Sequence, residues 1–270
     1  MDPIRTGEAA ALLVAARQQR SRIGPLPAAC RPESVSDAHA IQDAVTAMLG
    51  AEVRAFKANA AAPSGSAKPA GRSAADAPWL IPDGVRAPIY ASTIRVSPAR
   101  FLAAEVPQCG VEGEVAFRFR RDLPPRSTPY SREEIAASID ACAAIEVVTS
   151  RFADPDAATF YDKLADCVSN GGFVHGEAVR DWHSLDFSRI RVTLSVNGET
   201  VVKQPGGHPT GDPLGIVVAL VEMMRTAGGV TAGQFVTCGS YTGLRYLKPG
   251  DVCGVSFDGL GAVEVRFAPG

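Results

Sequence analysis

No stretch of this chain is both long and apolar. The longest strongly apolar run, residues 214–220, is far too short to span a bilayer. The first 20 residues, opening Met-Asp-Pro, lack a basic segment followed by an apolar one, so no secretory leader is expected. An excess of either charge is also missing: 27 Lys and Arg against 29 Asp and Glu leave a net charge of −2. That balance excludes a general electrostatic grip on nucleic acid or an anionic membrane. The six cysteines (Cys30, Cys109, Cys142, Cys167, Cys238, Cys253) form no C-x-x-C pair, and the four histidines are isolated. Neither a disulfide framework nor a zinc site is therefore expected, and a reduced cytoplasmic protein fits this usage. No internal repeat is evident. What remains is an ordinary globular composition, 46% hydrophobic and 21% charged, with enough chain for a substantial core.

Three glutamates stand out, each set inside an apolar β-type segment. Glu112 and Glu114 lie in Val111-Glu112-Gly113-Glu114-Val115-Ala116-Phe117-Arg118-Phe119, and Glu146 lies in Ala143-Ala144-Ile145-Glu146-Val147-Val148. Side chains alternate along a strand, so Glu112 and Glu114 share one face while Val111, Val115, Phe117 and Phe119 line the other. Two carboxylates about 7 Å apart on a strand repel unless a cation lies between them. Glu146 has apolar neighbours on both sides, where an unpaired carboxylate is costly to bury. A hard divalent cation, Mg²⁺ or Mn²⁺, held by the three carboxylates would relieve all three costs. The plainer reading of such glutamates is a solvated strand face or an edge position.

The rest of the chain reads as α+β. Residues 8–20 carry an Ala/Leu helical stripe. A second helix spans 36–49, capped by Ser36 or Ser34, with Ile41, Val45, Met48 and Leu49 on its apolar face and Gly50 as its stop. A strand follows over 53–59, then an Ala/Pro/Ser/Gly-rich stretch over 60–78, which serves as a linker or as a lid beside Lys57. Ser131-Arg132-Glu133-Glu134 is a capping box opening a helix to about residue 141. Residues 191–203 alternate around Asn197-Gly198, a hairpin signal. Asp212-Pro213 starts a helix that buries Ile216, Leu220, Met223 and Met224 and ends at Gly228-Gly229, and strands at 252–257 and 262–267 close the chain. Strands outnumber helices without regular β-α alternation, which favours α+β over a parallel α/β sheet. A helical part over 1–80, including the Lys57 strand, and a β-rich part over 81–270 are expected to form one integrated unit.

An ordered series of segments resembles the 2-keto-4-pentenoate hydratase and 4-oxalocrotonate decarboxylase group of the fumarylacetoacetate hydrolase superfamily. The segments are Val53-Arg54-Ala55-Phe56-Lys57, residues 111–119, residues 145–152, residues 164–176 (Leu-Ala-Asp-Cys-Val-Ser-Asn-Gly-Gly-Phe-Val-His-Gly), Val236-Thr237-Cys238-Gly239-Ser240, Pro249-Gly250-Asp251 and residues 260–267. None is specific alone; their order over nearly the whole chain carries the likeness. The resemblance implies a distorted mixed β-barrel or roll preceded by a short helical part, and a homo-oligomer. It implies Lys57 as a catalytic residue in proton transfer or polarisation, against the plain alternative of an edge lysine that snorkels. Ser240 matches a Ser/Thr that binds the substrate carboxylate. Ser169 and Asn170 match a turn facing the site, and Arg151 is a weaker substrate-binding candidate that otherwise pairs with a structural carboxylate.

A 2-oxo acid can chelate a divalent cation through its keto and carboxylate oxygens, and the cation then stabilises an enolate. Dienoate hydration, oxalocrotonate decarboxylation and acylpyruvate cleavage all pass through that kind of species. The family's hydratases usually carry an acid in the segment matching residues 88–94, where this chain has Ser92 and Thr93. A hydroxyl is a poor base at neutral pH, which narrows the lead of hydration over decarboxylation. Acylpyruvate C–C hydrolysis ranks third, because His39 lacks an evident carboxylate partner and reads as a surface helix residue. A non-catalytic 2-oxo-acid-binding accessory subunit is the alternative from another class. Buried charges retained at Lys57 and three glutamates argue against it.

Overall fold

The computed structural model describes residues 1–59 and 84–270. The stretch at 60–78, read as a linker or lid, falls outside them. Two helices open the chain, α1 (Pro3–Gln18) and α2 (Val35–Leu49), followed by β1 (Val53–Asn59). Ser34 caps α2 by accepting from the Asp37 amide at 3.1 Å, and Gly50 ends it in the left-handed conformation that a glycine adopts freely. Its apolar face includes Ile41 and Val45, whereas Met48, expected on that face, is exposed. Further along come β2 (Val85–Tyr90), β3 (Ile94–Val96), β4 (Ala99–Leu102) and β5 (Gly110–Phe119).

The capping box at Ser131 is present, yet α3 (Arg132–Ala136) is far shorter than expected. By residue 139 the chain has entered β6 (Ile139–Val148), which pairs along its whole length with β5. Ladder pairing and burial outweigh the helical propensity of the alanines here. Next are α4 (Phe160–Ala165), β7 (Asn170–His175) and the hairpin β8 (Arg191–Val196) with β9 (Glu199–Pro205). Asn197 and Gly198 both have positive φ, as the two-residue turn requires. Asp212 caps α5 (Pro213–Arg225), which stops short of Gly228. The chain ends with β10 (Phe235–Ser240), β11 (Arg245–Tyr246), β12 (Val252–Phe257) and β13 (Gly261–Ala268).

Two sheets result. The larger is mixed and runs β2-β1-β10-β5-β6-β7-β3, with β11 added to β5; the smaller runs β4-β13-β12-β8-β9. The alternation read over residues 111–119 decides how they meet. Val111, Val115, Phe117 and Phe119 join Ala141, Ala143, Ile145 and Val147 in the main core, against Val255, Val263, Val265 and Phe267 of the smaller sheet. Burying a Val or Phe side chain of this kind contributes about 1.5–3 kcal/mol. The opposite face carries Glu112, Glu114, Ala116 and, across the ladder, Glu146, Ala144 and Cys142. A separate apolar cluster joins α1, α2 and α4 through Leu13, Ile41, Phe152 and Leu164. Among the described residues no helix is long and apolar enough to cross a membrane.

Candidate metal and substrate site

Glu112 and Glu146 are direct partners in the β5–β6 ladder, and Glu114 follows Glu112 on the same face. One oxygen from each lies within 4.8 Å of the others, close enough for a single cation to touch all three. Glu114 and Glu146 are fully buried, at 1% and 0% exposure, while Glu112 keeps a partly open edge. Such a set of like charges needs compensation inside the protein.

Lys57 supplies part of it. Its Nζ lies 3.0 Å from Glu146 Oε2, 3.1 Å from Oε1, and 3.9 Å from Glu112 Oε2. Lys57 and Glu146 stand on strands three places apart in the sheet order, roughly 14 Å at ordinary strand spacing. A lysine side chain cannot cross that gap over a flat sheet, so the contact depends on the curl that makes this sheet a half-barrel. Desolvation works to lower the Lys57 pKa, but Glu146, Glu112 and Glu114 together raise it above the ordinary value and keep the ammonium charged.

The compensation is incomplete. Desolvation, then repulsion from Glu146 and Glu112, pushes the Glu114 carboxyl up to about 8 despite the opposing pull of Lys57 and Thr237. Glu112 is raised mainly by desolvation, with Lys57 pulling against it. Glu146 Oε1 accepts from Lys57 Nζ and from Asn170 Nδ2 at 3.1 Å each. Its Oε2 is buried and, although paired in charge with Lys57, receives no hydrogen bond among the described residues. A buried carboxylate oxygen that receives no hydrogen bond among the described residues, two elevated carboxyls and an all-oxygen donor set fit a hard divalent cation.

The other residues divide clearly. Ser240 pairs with Glu114 across β10–β5, and its Oγ is buried without a hydrogen-bond partner among the described residues, near enough to lower the Glu112 pKa. Ser169 sits at the end of a turn before β7, its amide donating to the Asp166 carbonyl. The Arg151 guanidinium is engaged by protein partners. Nε lies 2.5 Å from Asp166 Oδ1, while Nη1 and Nη2 each donate at 2.7 Å to the carbonyls of Asn170 and Asp166. Burial beside a fully buried aspartate made the structural pairing the better of its two readings. His39 is half-buried rather than on the surface. Its Nε2 accepts from the Arg86 amide, and desolvation with the Arg86 charge lowers its pKa to about 4. Ser92 is exposed, and the Thr93 hydroxyl donates to the Tyr90 carbonyl at 2.9 Å.

Two contacts to Glu114 went unread in the sequence. Thr237 Oγ1 and the Gly239 amide both donate to Glu114 Oε2, the latter at 2.8 Å. Strand parity was the available signal, since Thr237 lies in the same cross-strand row as Lys57 and Ala116.

Comparison with known proteins bears on the family and the fold. Residues 55–268 match the family described as fumarylacetoacetate (FAA) hydrolase C-terminal. The 2-keto-4-pentenoate hydratase of Paraburkholderia xenovorans (strain LB400) is 33% identical over 159 residues, covering 58% of this chain and 58% of that protein. The 4-oxalocrotonate decarboxylase of Pseudomonas putida is 28% identical over 136 residues, 50% of this chain and 51% of that one. The chain thus matches little more than half the length of these curated relatives. Among solved structures, the 4-oxalocrotonate decarboxylase from Pseudomonas putida G7, complexed with magnesium and adipate, superposes with a TM-score of 0.78 at 19% identity, over 99% of this chain and 98% of that one. A fumarylacetoacetate hydrolase from Exiguobacterium antarcticum gives 0.56 at 18% identity, over 82% and 76%. At such identities the likeness is one of fold. With a match that runs from the Lys57 strand to the last strand, the chain belongs to the fumarylacetoacetate hydrolase family.

Proposed function

We propose that the protein is a divalent-metal-dependent lyase that hydrates a 2-hydroxy-2,4-dienoate or related 2-oxo acid, with Glu112, Glu114 and Glu146 holding Mg²⁺ or Mn²⁺. The observation that carries the metal-dependent part of this reading is the buried three-carboxylate cluster with Lys57 Nζ 3.0 Å from Glu146. The hydratase names of the matched relatives support the reaction class. A bound divalent cation supplies Lewis-acid polarisation of the substrate's keto and carboxylate oxygens. The chain's residues do the rest. The buried Ser240 Oγ, beside Glu112, offers a hydrogen bond to the substrate carboxylate. Lys57, kept as an ammonium by its carboxylates, holds the proton to be exchanged with the substrate's carbon framework. Soluble homo-oligomerisation belongs to the same reading.

Decarboxylation of a 4-oxalocrotonate-type acid is the second reading. It is favoured by one observation, that the exposed Ser92 and the committed Thr93 hydroxyl leave no acid in that segment to activate water. Product analysis with Mg²⁺ separates them. Conversion of 2-hydroxypenta-2,4-dienoate to 4-hydroxy-2-oxopentanoate supports hydration, and CO₂ release from 4-oxalocrotonate supports decarboxylation. Binding of these two acids and of an acylpyruvate without turnover of any of them would favour an accessory, non-catalytic role.

A further inference from the structure

The segment that carries Asn170 to the site has an unusual backbone. Cys167, Val168 and Ser169 are three consecutive non-glycine residues with φ of 54°, 51° and 60°. Side chains with a Cβ rarely adopt this left-handed region, and a β-branched residue such as Val168 least of all. A run of three persists only where surrounding contacts over-determine it, and such strain clusters at functional sites.

Those contacts centre on two buried side chains. Arg151 Nη2 donates to the Asp166 carbonyl at the entry of the turn, and Nη1 donates to the Asn170 carbonyl at its exit, both at 2.7 Å. The planar guanidinium thus bridges the whole turn. Asp166, fully buried, fixes Arg151 in turn: Oδ1 takes Arg151 Nε at 2.5 Å and Oδ2 takes the Arg151 amide at 3.0 Å. Arg17 of α1 adds a longer contact to Asp166 at 3.4 Å. Immediately past the bridge, Asn170 Nδ2 reaches Glu146 Oε1 at 3.1 Å.

We infer that Arg151 and Asp166 are positioning residues: they hold a left-handed turn that aims the Asn170 amide at Glu146 and so fixes the most buried carboxylate of the cluster. The functional readout rests on the metal reading given above. Groups that orient a ligating carboxylate typically change metal affinity 10- to 100-fold when altered. Lysine keeps the charge of Arg151 but cannot bridge two carbonyls with a rigid fork.

The test is a double-mutant cycle on the full chain, with Mn²⁺ binding read by electron paramagnetic resonance and folding checked by thermal melting. Arg151→Lys is expected to lose roughly 10- to 100-fold in Mn²⁺ affinity. Asn170→Ala is expected to lose a similar amount, and the double variant no more than Asn170→Ala alone, because both act through one contact. Wild-type affinity in Arg151→Lys, or losses that add in full, would overturn the inference. Should Arg151→Lys not fold, Asp166→Asn, which keeps the side-chain shape, goes through the same cycle. If the wild-type protein takes no Mn²⁺, the metal reading fails by itself. The Asn170 side-chain amide resonances then decide the positioning role: displaced in Arg151→Lys they support it, unmoved they refute it.

Discussion

A carboxyl as deeply buried as Glu114 holds its proton into the neutral range unless a cation replaces it, and this sets the pH behaviour of the site. Its pKa rises from an ordinary 4.5 to about 8 in the folded, metal-free chain. The stability linked to that proton is fully present below pH 4.5 and is lost as pH rises through about 8. Metal-free protein should therefore melt at progressively lower temperature across that window, and a divalent cation should recover most of the loss at its upper end. Metal binding near pH 7 should also release a proton, measurable by calorimetry in buffers of different ionisation enthalpy. Binding with no proton release would contradict the burial argument. In the proposed mechanism Lys57 acts differently, on the substrate rather than on the cation. Lys57→Met should keep binding of Mg²⁺ and oxalate, read as a rise in the thermal midpoint. Turnover should fall by roughly 100-fold or more, the scale of general acid–base contributions. Normal turnover would remove the lysine from the mechanism. The glutamates were legible in the sequence because buried charges in apolar strands are conspicuous. The reach of Lys57 was not, since it depends on sheet curl that no local spacing encodes.

At the scale of elements, β5 carries the site on one face and the main core on the other, and Gly113 marks how tightly that strand is packed. A Cβ at Gly113 would lie 2.9 Å from both Thr242 Cγ2 and Val255 Cγ1, and the Gly113 amide donates to Thr242 Oγ1 at 2.9 Å. Gly113→Ala should destabilise by about 1–3 kcal/mol, the usual cost of overpacking, and weaken metal binding by shifting the strand between Glu112 and Glu114. Chemical denaturation and Mn²⁺ titration of this variant check both effects; unchanged stability would mean that the two sheets can separate locally at little cost. The strands at 53–59 and 111–119, the Asn197-Gly198 hairpin and the Asp212 cap were all readable, because periodicity and turn chemistry are local. The helix expected to run from Ser131 to about 141 was not. Ala137 and Ala141 are good helix formers, and the β5 ladder, supplied from elsewhere in the chain, takes the backbone into strand from Ile139 onward.

For the whole molecule, the ordered segments gave the family and its α+β architecture, while the carboxylate geometry gives a ligand class rather than a reaction. Hydration and decarboxylation share the same head group, so the site that both would use cannot rank them. The missing acid near Ser92 bears on that choice and the cluster does not. The claim beneath either reaction is that Glu112, Glu114 and Glu146 together hold one divalent cation. Calorimetric titration of chelator-stripped protein with Mg²⁺ or Mn²⁺, wild type beside Glu114→Gln, tests it most directly. The account predicts one site per chain in the wild type and its loss in a Glu114→Gln variant that still folds. An equal affinity in that variant, or no binding by either protein, would contradict it.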